Sequence, residues 1–176
     1  MPRLTGLRIA DDPAAWEALG FAVRDGAVTT GGVRIELAGP AAGQGILGWT
    51  LDGDAGEDVR QPNGVVGVDH VVVLTSDLDA AMARLEADGF TVRRVREAGE
   101  GRRQAFYVLG TALLELVGPA GDDDWRFWGV TFVAEDLAAL AAHTGDARDA
   151  VQPGRRIATL RRETGLSVAV AFLTPR

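Results

Sequence analysis

Two side chains in this sequence have the types and setting to do chemistry together, His70 and Glu115. His70 interrupts the apolar run VGVDHVVVL, and Glu115 interrupts the later run ALLELVG. Imidazole and carboxylate are the groups that most often ligate a metal or carry a proton in a site. Their own surroundings leave other readings open. His70 can be a core histidine donating to a backbone carbonyl. Glu115 can be a buried carboxylate paired with an arginine of a neighbouring strand, Arg103 or Arg156. An unpartnered buried carboxylate is costly, so Glu115 must face a partner, a pocket or water.

The elements that must position this pair are legible around it. VGVDHVVVL is apolar on both alternating faces, the pattern of a strand covered on two sides. Ser76 is placed to cap the following helix, with Asp79 in the capping-box position. Leu78, Ala81, Met82 and Leu85 form one apolar stripe, and Gly89 ends the helix. FTVRRVRE, RRQAFYVLG and TALLELVG follow as strands, giving the order βαβββ.

The same order is expected twice more. In the N-terminal stretch LTGLRIA reads as a strand and Asp12-Pro13 as the cap and first turn of a short helix stopped by Gly20. FAVRDG, GGVRIELAG and GILGWTLDG read as three further strands. After the loop PAGDDD, WGVTFVAEDLAALAAHTG reads as strand then helix, and DARDAVQPG, GRRIATLRRE and GLSVAVAFLTP complete a third unit with a weak second strand. The register supports a repeat: Asp77-Leu78 matches Asp136-Leu137, and Val117-Gly118-Pro119 matches Leu173-Thr174-Pro175. The expected organisation is an N-terminal module over residues 4–52, a Gly/Asp/Pro linker over 53–65, and a domain over 66–176 made of modules 66–119 and 126–176. The fold class is α+β.

Composition narrows the chemistry. The net charge is −7, and all 18 basic residues are arginine. An acidic chain without a basic helix is not expected to bind nucleic acid. No lysine means no Schiff base, and no cysteine means no disulfide, thiolate metal site or thiol nucleophile. Any metal must be held by His, carboxylate or water. No apolar run approaches the roughly 20 residues that span a bilayer, and no signal core opens the chain, so a cytoplasmic protein is expected.

GVDHVVVLTSDLDAAMARLEADGF, followed by RRQAFYVLGTALLELVGP, resembles a module of the vicinal oxygen chelate superfamily, which includes glyoxalases, bleomycin-resistance proteins and extradiol dioxygenases. The resemblance rests on a His in the first strand, the acidic-start helix after it, and a Glu in the fourth strand. It implies a cupped sheet built from two modules, with a divalent ion (Zn, Mn, Fe or Ni) held by first- and fourth-strand residues of both. His70 and Glu115 would then be ligands, or Glu115 a catalytic base. The repeat register departs from that pattern, because the counterpart of His70 is Gly129 and that of Glu115 is Ala171. Glu36 and Glu163 are the other acids considered as ligands.

The vacated positions suggest a roomy cup. Gly129 and Thr131 share one face of a strand, and Ala169 and Ala171 share one face of another. Gln104 and Phe106 alternate against Arg103, Ala105 and Tyr107, and periodicity does not say which set is inward. Arg156 is a candidate for binding an anionic group. The expected function is a glyoxalase-like protein that binds a small organic molecule near His70 and Glu115. It would be a metal-dependent lyase, isomerase or dioxygenase, or else a metal-free binding or sequestration protein, or a catalytically degenerate structural or regulatory dimer. Three modules leave one unpaired, which a homodimer would resolve.

Overall fold

The strand-forming stretches segregate into two sheets, and the boundary between the sheets follows the Gly/Asp/Pro linker. The computed structural model describes residues 1–176. The N-terminal part contains β1 (Leu4–Ile9), α1 (Pro13–Ala18), β2 (Ala27–Thr30), β3 (Val33–Leu37) and β4 (Ile46–Leu51). Asp12 caps α1 by accepting from the Ala14 N–H at 2.9 Å. The sheet order is β2-β3-β1-β4, with β1 parallel to β3 and antiparallel to β4. FAVRDG, expected as a strand, is reduced to a single bridge at Arg24–Ala27, and the residues after it form β2 instead. β4 does not extend the module outward but lies on the far side of β1.

The rest of the chain contains β5 (Val65–Leu74), α2 (Leu78–Ala87), β6 (Val92–Gly99), β7 (Arg102–Leu109), β8 (Ala112–Gly118), β9 (Arg126–Ala134), β10 (Arg148–Asp149), β11 (Arg156–Thr159) and β12 (Ala169–Leu173). These nine elements include eight strands of one sheet, in the order β10-β11-β12-β9-β5-β8-β7-β6. β5 is parallel to β8, β9 is parallel to β12, and the two pairs meet antiparallel at β5–β9. The expected repeat register is visible in the hydrogen bonding. Val72 stands opposite Glu115 in one parallel pair, and Thr131 opposite Ala171 in the other.

Two local expectations are corrected. Asp77, not Ser76, caps α2, accepting from the Ala80 N–H at 3.0 Å; Ser76 instead donates to Asp124. The third helix does not form. Only a 3-10 turn at Ala138–Leu140 is present, where Leu140 is the sole buried residue and Asp136 accepts from the Ala138 N–H at 2.8 Å. One buried side chain gives that segment no stripe to pack. The back of the sheet it would have covered is taken by the N-terminal part. Trp16 of α1 and Phe21 lie 6.0 and 5.5 Å from the Phe132 ring, and Phe132 stacks on Phe172 at 6.0 Å. The β2–β3 turn docks on β5 so closely that a Cβ on Gly31 (φ +56°) would stand 2.7 Å from the Gly67 Cα.

A single apolar cluster of 31 buried residues therefore runs through both sheets. The N-terminal sheet buries one face within the chain, against the back of the large sheet. The large sheet is covered on this back face, and its other face is concave and open. No helix is long and apolar enough to cross a membrane.

Candidate functional site

The concave face is formed by alternate residues of the large sheet. His70, Val72 and Leu74 of β5 point into it, as do Gln104 and Phe106 of β7 and Glu115 and Val117 of β8. From the other module come Gly129 and Thr131 of β9 and Ala169 and Ala171 of β12. Their alternates Ala105, Tyr107, Leu114, Phe132 and Phe172 are fully buried on the opposite face. The cup has a volume of about 800 Å³, within the range of small-molecule sites. Trp128, half exposed, stands at its rim.

His70 and Glu115 do meet. His70 Nε2 is 3.3 Å from Glu115 Oε2, and both side chains are 13% exposed. The other imidazole nitrogen is not turned to a backbone carbonyl. His70 Nδ1 lies 2.8 Å from Asp69 Oδ2. That contact joins consecutive residues, which regular alternation would send to opposite faces. It forms because β5 carries a bulge: Val68 pairs with Phe132 and His70 with Thr131, leaving Asp69 as the extra residue.

Asp69 in turn pairs with Arg155, whose guanidinium lies 2.8 Å from Asp69 Oδ1. Both side chains are nearly closed to solvent, at 4% and 7% exposure. Arg155 also donates from Nε to the Thr174 carbonyl at 2.6 Å. Burial raises the Asp69 carboxyl, but hydrogen bonds from His70 and Arg155 and their charges outweigh it, so its pKa ends below the usual carboxylate value. Asp69 is thus a fixed anion that holds His70 by Nδ1.

On the other side, Gln104 donates from Nε2 to Glu115 Oε1 at 2.6 Å. Arg96 of β6 donates from Nε to Gln104 Oε1 at 2.6 Å and lies 5.2 Å over the Phe106 ring. A continuous chain Arg155–Asp69–His70–Glu115–Gln104–Arg96 therefore crosses the floor of the cup. Asp69 is not among the site candidates that the sequence offers, and Arg96 and Arg155 stand in it only as members of two arginine clusters suited to carboxylate pairing. The signal for Asp69 was its place inside an apolar strand, where a carboxylate demands a cation. The signal for Arg155 was the same GRR triplet that drew attention to Arg156.

Arg156 does not face the cup. Ile157 and Thr159 of β11 line it, and alternation sends Arg156 outward, where its guanidinium donates to the Ala147 carbonyl at 2.5 Å. Arg103 is likewise outside, bound to Asp79 of α2 at 2.8 Å. Glu115 therefore pairs with neither arginine. Glu36 is spent on an exposed ion pair with Arg8, and Glu163 lies in a 3-10 turn outside the cup.

Two donors converge, His70 Nε2 and Glu115 Oε2, as a chelating pair would. No group of three or more His, Asp or Glu side chains is arranged so that it could hold a metal ion. Gln104 has its amide oxygen committed to Arg96. The opposite wall presents Gly129, Thr131, Ala169 and Ala171, and it is closed to a larger ligand at position 129. A Cβ there would stand 2.7 Å from the Ala169 carbonyl oxygen and 3.1 Å from the Ala169 Cβ. Zinc and transition-metal sites of this class use three or more protein ligands, so the residues present do not fit a resident Zn, Mn, Fe or Ni ion.

What the arrangement can do is hold a proton. With Nδ1–H given to the Asp69 anion, Nε2 of a neutral imidazole would turn a lone pair toward a carboxylate oxygen. The 3.3 Å contact is attractive only if one proton sits between His70 and Glu115.

The fold and the family models agree. The chain belongs to the glyoxalase-like family: a "Glyoxalase-like domain" model matches residues 68–173, and a "Glyoxalase/Bleomycin resistance protein/Dioxygenase superfamily" model matches residues 16–115. By sequence, no curated protein matches it. Among solved structures it is similar to methylmalonyl-CoA epimerase from Mycobacterium tuberculosis, at 18% identity and a TM-score of 0.53, covering 64% of this chain and 90% of that one. A Streptomyces coelicolor methylmalonyl-CoA epimerase variant in complex with 2-nitronate-propionyl-CoA matches at 24% identity and a TM-score of 0.51, covering 62% and 97%. A hypothetical protein from Bacillus halodurans C-125 matches at 11% identity and a TM-score of 0.51, covering 62% and 94%. At these identities the likeness is one of fold.

Proposed function

We propose that this chain binds a small organic molecule in the cup without a resident metal, and that His70 and Glu115 act on it as a proton-sharing pair. The observation that carries this reading is the contact between His70 Nε2 and Glu115 Oε2, with the far nitrogen fixed by Asp69. Asp69 sets the tautomer and orientation of His70. Gln104, donating to Glu115 Oε1, leaves Oε2 turned to the imidazole. A ligand group entering beside this pair can accept its proton or give one up, which is general acid–base chemistry of the kind isomerases and lyases use. The opposite wall of Gly129, Thr131, Ala169 and Ala171 supplies space and apolar contact.

The test is binding. Ligand-observed NMR against a panel of small carbonyl compounds, acids and aromatics should yield binders whose signal is lost in the His70→Ala, Glu115→Ala double variant. That variant should keep a cooperative melt. A panel without a single binder, or binders unaffected by the double substitution, would contradict the proposal.

A further inference from the structure

The cup carries more positive charge than the chain around it. The protein has a net charge of −7. The cup, in contrast, is lined by the guanidinium groups of Arg96, Arg102 and Arg148 against the carboxylates of Glu115 and Asp149. Of these, Glu115 is already engaged by His70 and Gln104, and Arg102 pairs with Glu100 outside the cup lining. Arg96 joins no ion pair in the molecule.

Arg96 is also held in place. Its Nε is bound to Gln104 and its guanidinium lies over Phe106, so the plane of the fork is fixed by two inward-facing residues of β7. Gln104 is interposed between Arg96 and Glu115, bonded at 2.6 Å to each. A direct Arg–Glu pair would be the favoured arrangement in a half-dry pocket. The interposed amide keeps the two charges apart and leaves the terminal nitrogens of Arg96 free. A fixed fork with free terminal N–H groups is matched to a planar, bidentate oxyanion.

We infer that the cup selects an organic carboxylate, with Arg96 binding the carboxylate group and the small-residue wall receiving the apolar body, so that the rest of the molecule reaches the His70–Glu115 pair. Arg96 is then the specificity-determining residue of the site. This rests on the ligand-binding reading above, and it adds the ligand's charge and the residue that reads it.

The experiment compares acids with their uncharged isosteres: benzoate with benzamide, phenylacetate with phenylacetamide, and hexanoate with hexanamide, each titrated by calorimetry or ligand-observed NMR into the intact protein. A charge-assisted bidentate contact is worth about tenfold or more in affinity. The acids should bind at least about tenfold more tightly than the amides. Arg96→Gln should abolish that preference while keeping amide binding, and Arg96→Lys should keep part of it. Equal binding of acids and amides, or an acid preference that survives Arg96→Gln, overturns the inference and leaves small-molecule binding standing. If neither series binds, the inference and the underlying reading both fail. A melt of each variant separates loss of binding from loss of the fold.

Discussion

The two halves of the cup share one backbone plan and opposite chemistry. In one, the parallel pair β5–β8 carries His70 and Glu115, backed by Asp69 and flanked by Gln104 and Arg96. In the other, the parallel pair β9–β12 carries Gly129, Thr131, Ala169 and Ala171 at the corresponding register. The difference is more than a missing pair of ligands. The second half has closed around its small residues, since β12 approaches Gly129 too tightly for any side chain. In the first half His70 and Glu115 are hydrogen-bonded or ion-paired from within the same module, and Asp69 is paired with Arg155. Each half is consistent with itself, and the polar half does not wait for the other to complete it.

The comparison is broken most severely at Asp69. Asp69→Asn leaves Arg155, 4% exposed and already carrying one unpartnered nitrogen, without its anion. Breaking a buried pair of this kind costs about 3 kcal/mol or more, to be read by urea denaturation at neutral pH. A loss below about 1 kcal/mol would mean that the pair is not a structural support of the site. The pH dependence has a defined sign. The Asp69 carboxyl is held below its usual value by His70 and Arg155 despite burial. Its contribution is therefore complete above the ordinary value of about 3.9 and is lost as pH falls from there through the lower folded value. The stability gap between wild type and Asp69→Asn should shrink across that acidic window and stay level above about pH 5.

On the small-residue side, Gly129→Ala adds one methyl group where the nearest atom is a backbone carbonyl oxygen at 2.7 Å. The expected loss is about 1–3 kcal/mol, the usual cost of overpacking. Gly129→His should be worse and should not create metal binding. An unchanged melting temperature for the alanine variant would mean that β9 and β12 can part, and that the two halves are more alike than the packing implies.

The smallest effect is expected on the back of the polar half. Tyr107 is fully buried and its hydroxyl has no partner. Burial, with a further contribution from the Glu86 carboxylate, pushes its phenol up to about 12. Removing an orphaned hydroxyl is neutral or favourable, so Tyr107→Phe should stabilise by about 1 kcal/mol or less. The unfolded phenol ionises near 10, so wild type should lose stability as pH rises from about 10 to about 12, and the phenylalanine variant should lack that Tyr107 component. Calorimetric melts on both sides of that window check it.

Much of this was legible in the residues. Continuous and alternating apolar runs mark the strands of the large sheet; the Asp77/Asp136 register matches Gly129 to His70, the Pro119/Pro175 register matches Ala171 to Glu115, and the strand pairing agrees with both. What was hidden had particular causes. Strict alternation sends Asp69 and His70 to opposite faces, and only the bulge in β5 joins them. Arg155 and Arg156 are adjacent and identical in type, and the strand phase that separates a buried Arg155 from an outward Arg156 is not written in GRR. The missing third helix could not be foreseen either, because its berth is filled by Trp16 and Phe21 from more than a hundred residues earlier.

The central claim is that the polar half works alone, as a proton-sharing pair and not as half of a metal site. The most direct measurement is elemental analysis of protein made in medium supplemented with Mn, Fe, Co, Ni and Zn and purified without chelator, paired with melting curves on adding each ion. The account predicts far less than one equivalent of any of these metals per chain and no rise in melting temperature, since an ion bound to the folded state alone would raise it. One equivalent of a transition metal, lost together with the thermal shift in His70→Ala and Glu115→Ala, would contradict it.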